Sequence, residues 1–137
     1  MNILGFDIGE QRIGVAIGSD ETHIASPLGI FDAKPEEKCF LQLLILLQQE
    51  SIGKCVIGFP RLLNHRSQET EQQHRIRAWA ERFRAFSGQE ILFEDETLST
   101  ALAERWQHEQ GGRGKRDDLA ATVILQSYLD RYECLSS

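Results

Sequence analysis

The stretch LGFDIGEQRIGVAI, residues 4–17, constrains this chain more than any other: two apolar runs, 2–6 and 12–17, flank a short polar turn containing Gly9. Short apolar runs joined by a Gly-containing turn pair as an antiparallel hairpin. A third run at 23–31 follows the polar connection 19–22 and adds a third antiparallel strand. From Pro35 the period changes. Phe40, Leu43, Leu44 and Leu47 recur at helical spacing, Pro35 suits a first turn, and Gly53 is read as the stop. KCVIGF at 54–59 is nearly all apolar, as in a strand buried on both faces of a parallel arrangement.

A strand of that kind needs a covering helix, and Ile76, Trp79, Ala80 and Phe83 supply the stripe, with Arg75 and Arg82 on one flank and Arg77 and Arg84 on the other. Those arginines read first as a solvated helix flank whose stems cover apolar edges. A short strand at 90–93 runs into the acids Glu94, Asp95 and Glu96, and helical patterns at 99–108 and 117–132 close the chain around the loop EQGGRGKR. The order βββαβαβαα predicts one α/β domain over 1–137. Its mixed five-stranded sheet has three antiparallel strands, then two parallel ones, with helices on both faces because parallel crossovers are right-handed and must cover apolar surface.

Composition narrows the function classes. At 137 residues the chain suits one domain, no stretch approaches the ~20 apolar residues of a membrane span, and the N-terminus lacks an export signal, so a cytoplasmic protein with no membrane partner is expected. Cys39, Cys55 and Cys134 are odd in number and lack CxxC spacing, which reads as idle thiols rather than a zinc site or disulfide framework. His65, His74 and His108 lack ligand spacing, and Trp79 reads as core. A net charge of -6 is unusual for a partner of nucleic acid, yet Arg113, Lys115 and Arg116 crowd one glycine-containing loop where they can meet phosphates.

Ligand sites in such sheets gather at the carboxyl ends of the parallel strands. Asp7 ends the first strand, Asp95 or Glu96 the fifth, and Asp117 opens the last helix. Each has a plainer reading, as a turn-former beside Gly9 or as a helix cap, and strand alternation alone leaves Asp95 and Glu96 open. Together, carboxylates from three distant positions form a hard-oxygen site suited to Mg²⁺ or Mn²⁺. Two such ions can stabilise the attacking and leaving oxygens of a phosphoryl displacement, which makes phosphodiester hydrolysis the natural task.

The stretches GFDIGEQRIGVAIGSD, VIGFP, FEDETLST and DDLAATVILQSYLD, in this order, resemble the YqgF-type family of RNase H-like nucleases. This resemblance spans almost the whole chain. It implies an RNase H-like fold, metal-dependent endonuclease chemistry and a role in maturing the 5' end of pre-16S rRNA during ribosome biogenesis, with ribosomal precursor particles as partners. It places the catalytic and metal-binding acids on Asp7, on the Asp95–Glu96 pair with Glu96 favoured, and on Asp117, three residues before Ala120. Arg12 becomes a further phosphate contact beside Arg113, Lys115 and Arg116. Two positions depart from the pattern: Thr97 stands where the family usually has Arg, and Asn64 is followed by His65 rather than Gly. Holliday junction resolution on branched DNA is the alternative activity, and a non-cutting nucleic-acid-binding module a further one. An actin-like or sugar-kinase ATPase, which opens with a similar Asp-x-Gly hairpin, is disfavoured because such enzymes clamp ATP between two lobes.

Overall fold

A computed structural model describes residues 1–60, 70–95 and 117–136, with Asp95, Asp117 and 132–136 described by backbone alone. The described elements are β1 (Asn2–Ile8), β2 (Arg12–Ser19), β3 (Ala25–Asp32), α1 (Glu36–Gln49), β4 (Ile52–Phe59), α2 (Glu71–Ser87), β5 (Ile91–Asp95) and α3 (Asp117–Ser136). Residues 99–108, read as a helix, lie outside them. The five strands form one sheet in the order β3-β2-β1-β4-β5. β1 pairs with β2, and β2 with β3, antiparallel, while β1–β4 and β4–β5 are parallel, as the strand pattern predicts. No described helix is long and apolar enough to cross a membrane.

Alternation divides β1 cleanly. Leu4, Phe6 and Ile8 join Ile13, Val15 and Ile57 under α1 and α2, whereas Ile3 joins Ala16 and Val56 under α3. Burial of both faces explains why β1 and β4 read as continuous apolar runs. On the first face, the rings of Phe6, Phe40, Trp79 and Phe83 meet edge-on or stacked at 5.1–6.0 Å between centroids. Each such pair contributes about 0.5–1.5 kcal/mol beyond its area burial. Ile76, Trp79, Ala80 and Phe83 are all buried, so the predicted stripe of α2 is its core face.

α2 begins with a capping box: the Gln73 amide donates to Thr70 Oγ1, and the Thr70 amide donates to Gln73 Oε1. Gln73 Nε2 also donates to the Pro60 carbonyl at 2.6 Å, which ties the start of the helix to the end of β4. The helix stops at Gly88, at φ 72, where a side chain would be strained. α1 starts directly after Pro35, with Glu36 and Glu37 favourably placed in its first turn.

The end of α1 corrects the reading of Gly53. The helix stops at Gln49, Ser51 takes the left-handed conformation at φ 51, and Gly53 already lies within β4. A Cβ at position 53 would come within 2.4 Å of Met1 Cγ. The glycine is there for close approach of the N-terminal residue, not to end the helix.

Candidate functional site

Asp7 is half-buried near the carboxyl end of β1, one residue before the strand stops. It pairs with Gly14 of β2, and the parallel register that matches Phe6 to Ile57 brings Gly58 of β4 to its other side. Glycines on both neighbouring strands leave no side chain level with the carboxylate. The row ends at Glu94 of β5, which pairs with Gly58. The hairpin turn beside it is tight: the Gly9 amide donates to the Arg12 carbonyl, and a Cβ at position 9 would lie 2.7 Å from that oxygen.

The glycines of β1 and β2 also bring α3 down onto the sheet. A Cβ at Gly5 would stand 2.7 Å from Leu125 Cβ and 3.1 Å from the Ala121 carbonyl, and one at Gly18, level with Ile3, would meet Leu125 and Leu129. Moving up β1 therefore means moving back along α3. Two strand residues advance about 6.6 Å and four helical residues about 6 Å. Continuing that register from Gly5 to Asp7 carries the helix from Ala121 to position 117. Position 117 lies on the same i, i+4 stripe as Ala121, Leu125 and Leu129, and its backbone opens α3. Ala121 to Leu125 are all buried, as the close packing of α3 on the sheet requires.

Glu94 is the residue that sequence reasoning passed over. Only 3% exposed, it accepts a hydrogen bond from Ser127 Oγ at 3.1 Å and pairs with the Arg131 guanidinium. A carboxylate this buried needs such partners, because desolvation without compensation is costly. The pair straps the edge strand β5 to α3. The only signal in the sequence was the parity of Glu94 with Leu92, opposite to Phe93.

Other expected site residues are distributed as follows. Arg12 is exposed at the start of β2, and alternation through Gly14 and Ala16 puts it on the α3 side of the sheet with Asp7. Asp95 closes β5, its backbone paired with Phe59. Glu96, Arg113, Lys115 and Arg116 lie outside the described residues, as do Asn64, His65, Thr97, Trp106 and His108. Among the described residues, no group of three His, Cys, Asp or Glu side chains gathers as a metal site.

Arg77, Arg82 and Arg84 are exposed and Arg75 half-buried, as expected of a solvated flank, and several make specific contacts there. Arg75 pairs with Glu10 at 2.9 Å, Arg82 forks onto both oxygens of Glu36 at 2.8 Å, and Arg77 lies over the rings of Phe59 and Phe93. Cys39 and Cys55 are buried free thiols. Burial, reinforced by Glu36 and Asp32, pushes Cys39 up to about 11, and burial alone raises Cys55. Neither is a nucleophile at neutral pH, which agrees with reading them as idle.

A sheet of this order, with an acid near the end of the central strand and a helix opening beside it, defines an RNase H-like fold of the resolvase class. Thermus thermophilus RuvC in complex with a Holliday junction substrate matches it at TM-score 0.60 and 11% identity, over 97% of this chain and 96% of that one. The fowlpox virus resolvase, in complex with substrate Holliday junction DNA, matches at TM-score 0.55 and 12% identity, over 96% and 99%. The family model described as RuvX, Holliday junction resolvase, matches residues 1–131, and the chain belongs to that family. Relatives bearing the name "Putative pre-16S rRNA nuclease" include one from Thermus thermophilus, 36% identical over 96% of this chain and 98% of its own length. Another, from Chloroflexus aurantiacus, is 32% identical over 93% and 86%.

Proposed function

We propose that this protein is a divalent-metal-dependent endonuclease, acting as a single domain in the cytoplasm to trim the 5' end of pre-16S rRNA in ribosomal precursor particles. What supports this reading is the Gly5–Ala121 register, which, continued along both elements, would bring Asp7 and the first turn of α3 to one sheet edge, in a chain whose relatives bear the nuclease name. Asp7, Glu96 and Asp117 would hold Mg²⁺ or Mn²⁺, with Asp95 as the alternate to Glu96. The resemblance to the family's acidic motif favours Glu96 of the two.

The fit rests on donor chemistry. Asp7 is a hard oxygen donor between two glycines, so ions and a phosphate can approach it without displacing a side chain from either neighbouring strand. When bound, the metal acidifies a water and offsets charge developing on the transferring phosphoryl group. The chain's own residues do the remainder. Asp7, rigid in a central strand, fixes the acid site relative to the sheet, while the Glu94–Arg131 strap and the Gly5–Leu125 contact hold α3 in register. Arg12, on the same side as Asp7, and the loop residues Arg113, Lys115 and Arg116 neutralise phosphates flanking the scissile one.

Purified protein with Mn²⁺ or Mg²⁺ is expected to cut a 5'-extended small-subunit precursor RNA in preference to a four-way DNA junction. Preferential cutting of the junction would assign it to recombination, and tight binding without cleavage of either would make it a non-catalytic module. Neutralising Arg113, Lys115 and Arg116 together should reduce the slope of log affinity against log salt by about two to three. An unchanged slope removes that loop from the interface.

A further inference from the structure

On the side of the sheet away from α3, a cleft of about 330 Å³ opens where the β1–β2 turn, the end of β3 and α2 meet. It is bordered by Gly9, two residues beyond Asp7 in the chain, and by Trp79 and Arg75 one helical turn apart. Trp79 is 4% exposed, and among the described residues its indole N–H has no acceptor, nor has the buried Nε–H of Arg75. Buried donors without acceptors are uncommon and costly in folded proteins. Two residues carrying such donors line the same cleft, which points to an acceptor-rich occupant.

Charge narrows the occupant. Lys34, Arg75 and Arg82 border the cleft against the carboxylates of Glu10 and Glu36, an excess of one positive charge. Those carboxylates are already engaged. Glu10 takes Arg75 through Nη1, which leaves Nε of the same guanidinium without an acceptor among the described residues, and Glu36 takes Nε and Nη2 of Arg82. The carboxylates thereby hold the guanidiniums in place rather than supplying acceptors to Trp79 and to Arg75 Nε. Tetrahedral oxyanions accept several N–H donors at once and are favoured by guanidinium forks.

We propose that this cleft binds a phosphate group, with the Trp79 Nε1–H and Arg75 Nε–H donating to its oxygens and Lys34 supplying the balancing charge. Its volume admits a phosphate together with part of the nucleotide that carries it. The phosphate belongs either to a nucleotide flanking the cleavage position, an assignment that rests on the nuclease reading, or to a free mononucleotide, which does not.

The test follows the Trp79 indole N–H cross-peak in ¹⁵N-labelled protein, assigned in a Trp106→Phe background. Inorganic phosphate and AMP are each expected to move the peak saturably, acetate not, and Arg75→Gln to weaken the response roughly tenfold or more. With the Asp7→Asn protein, which keeps an oligonucleotide intact, a shift from both 5'-phosphorylated and 5'-hydroxyl oligonucleotides assigns the site to an internal phosphodiester of the substrate. A shift from the phosphorylated one alone assigns it to a strand end, and a shift from AMP without either oligonucleotide makes it a separate nucleotide site. A peak unmoved by phosphate, AMP and both oligonucleotides overturns the proposal and leaves a water site, as does an equal response to acetate. Because the readout is binding, a protein that bound phosphate here but cut nothing would refute the nuclease reading and leave this one standing.

Discussion

Asp7→Asn is expected to lower metal-dependent cleavage by about a hundredfold or more while shifting the melting temperature by no more than a few degrees. The amide has nearly the shape of the carboxylate, and with Gly14 and Gly58 on either side neither adjacent strand has a side chain level with it to repack. What is lost is a charge. A carboxylate that helps hold a divalent ion underwrites several kcal/mol of transition-state stabilisation, and each 1.36 kcal/mol is a factor of ten in rate. Glu96→Gln should behave alike, and its effect should exceed that of Asp95→Asn if Glu96 is the metal-holding member of the pair. Added Mn²⁺ should restore part of the Asp7→Asn activity when weakened metal affinity is the cause. Full activity of Asp7→Asn at ordinary Mg²⁺ would remove this residue from the site and leave the convergence at the sheet edge without a chemical purpose.

The sequence carried the frame of the molecule because its signals were local and periodic. The apolar runs of β1, β2 and β4 follow from strands packed between two apolar layers, and the Ile76–Trp79–Ala80–Phe83 stripe from a helix meeting one. The misreadings concern contacts between residues far apart in the chain. Gly53 resembles a helix stop until Met1 is seen against it, and the turn was taken by Ser51, for which position-by-position propensity gives no cue. The α2 arginines form the solvated flank that their pattern implies, but their partners Glu10 and Glu36, 65 and 46 residues away, leave no mark in the local pattern. Glu94 differed from its acidic neighbours only by its parity with Leu92, and its inward partners Ser127 and Arg131 lie 33 and 37 residues on. Of the site itself, Asp7 and Asp117 were legible as acids at element ends. The register that would bring them to one edge depends on glycines whose meaning is the depth to which α3 sinks onto the sheet.

That depth makes Gly5 the most sensitive position outside the acids. Gly5→Val should destabilise the protein by about 1–3 kcal/mol, the range of overpacked cores, which for a chain of this size is a fall of roughly 3–12 °C in melting temperature. The obstacle cannot be relieved by a rotamer change. A new Cβ would meet Leu125 Cβ at 2.7 Å and the Ala121 carbonyl at 3.1 Å, atoms fixed to the helix, so α3 itself must shift. Sliding or lifting α3 moves position 117 relative to Asp7, and a misplacement of about 1 Å at a reacting centre can cost on the order of a hundredfold in rate. Activity per folded molecule should therefore drop well beyond what the loss of stability explains. Gly5→Ala, with the same first atom and less bulk, is the milder variant if valine prevents folding, and should lie between. Gly29→Ala is the control: on the edge strand β3 its Cβ would meet nothing nearer than Phe31 Cε1 at 4.0 Å, and both stability and activity should stay at the wild-type level. Wild-type cleavage by a folded Gly5→Val protein would mean that the register between β1 and α3 does not set the catalytic geometry, and Asp117 would lose its claim to the site.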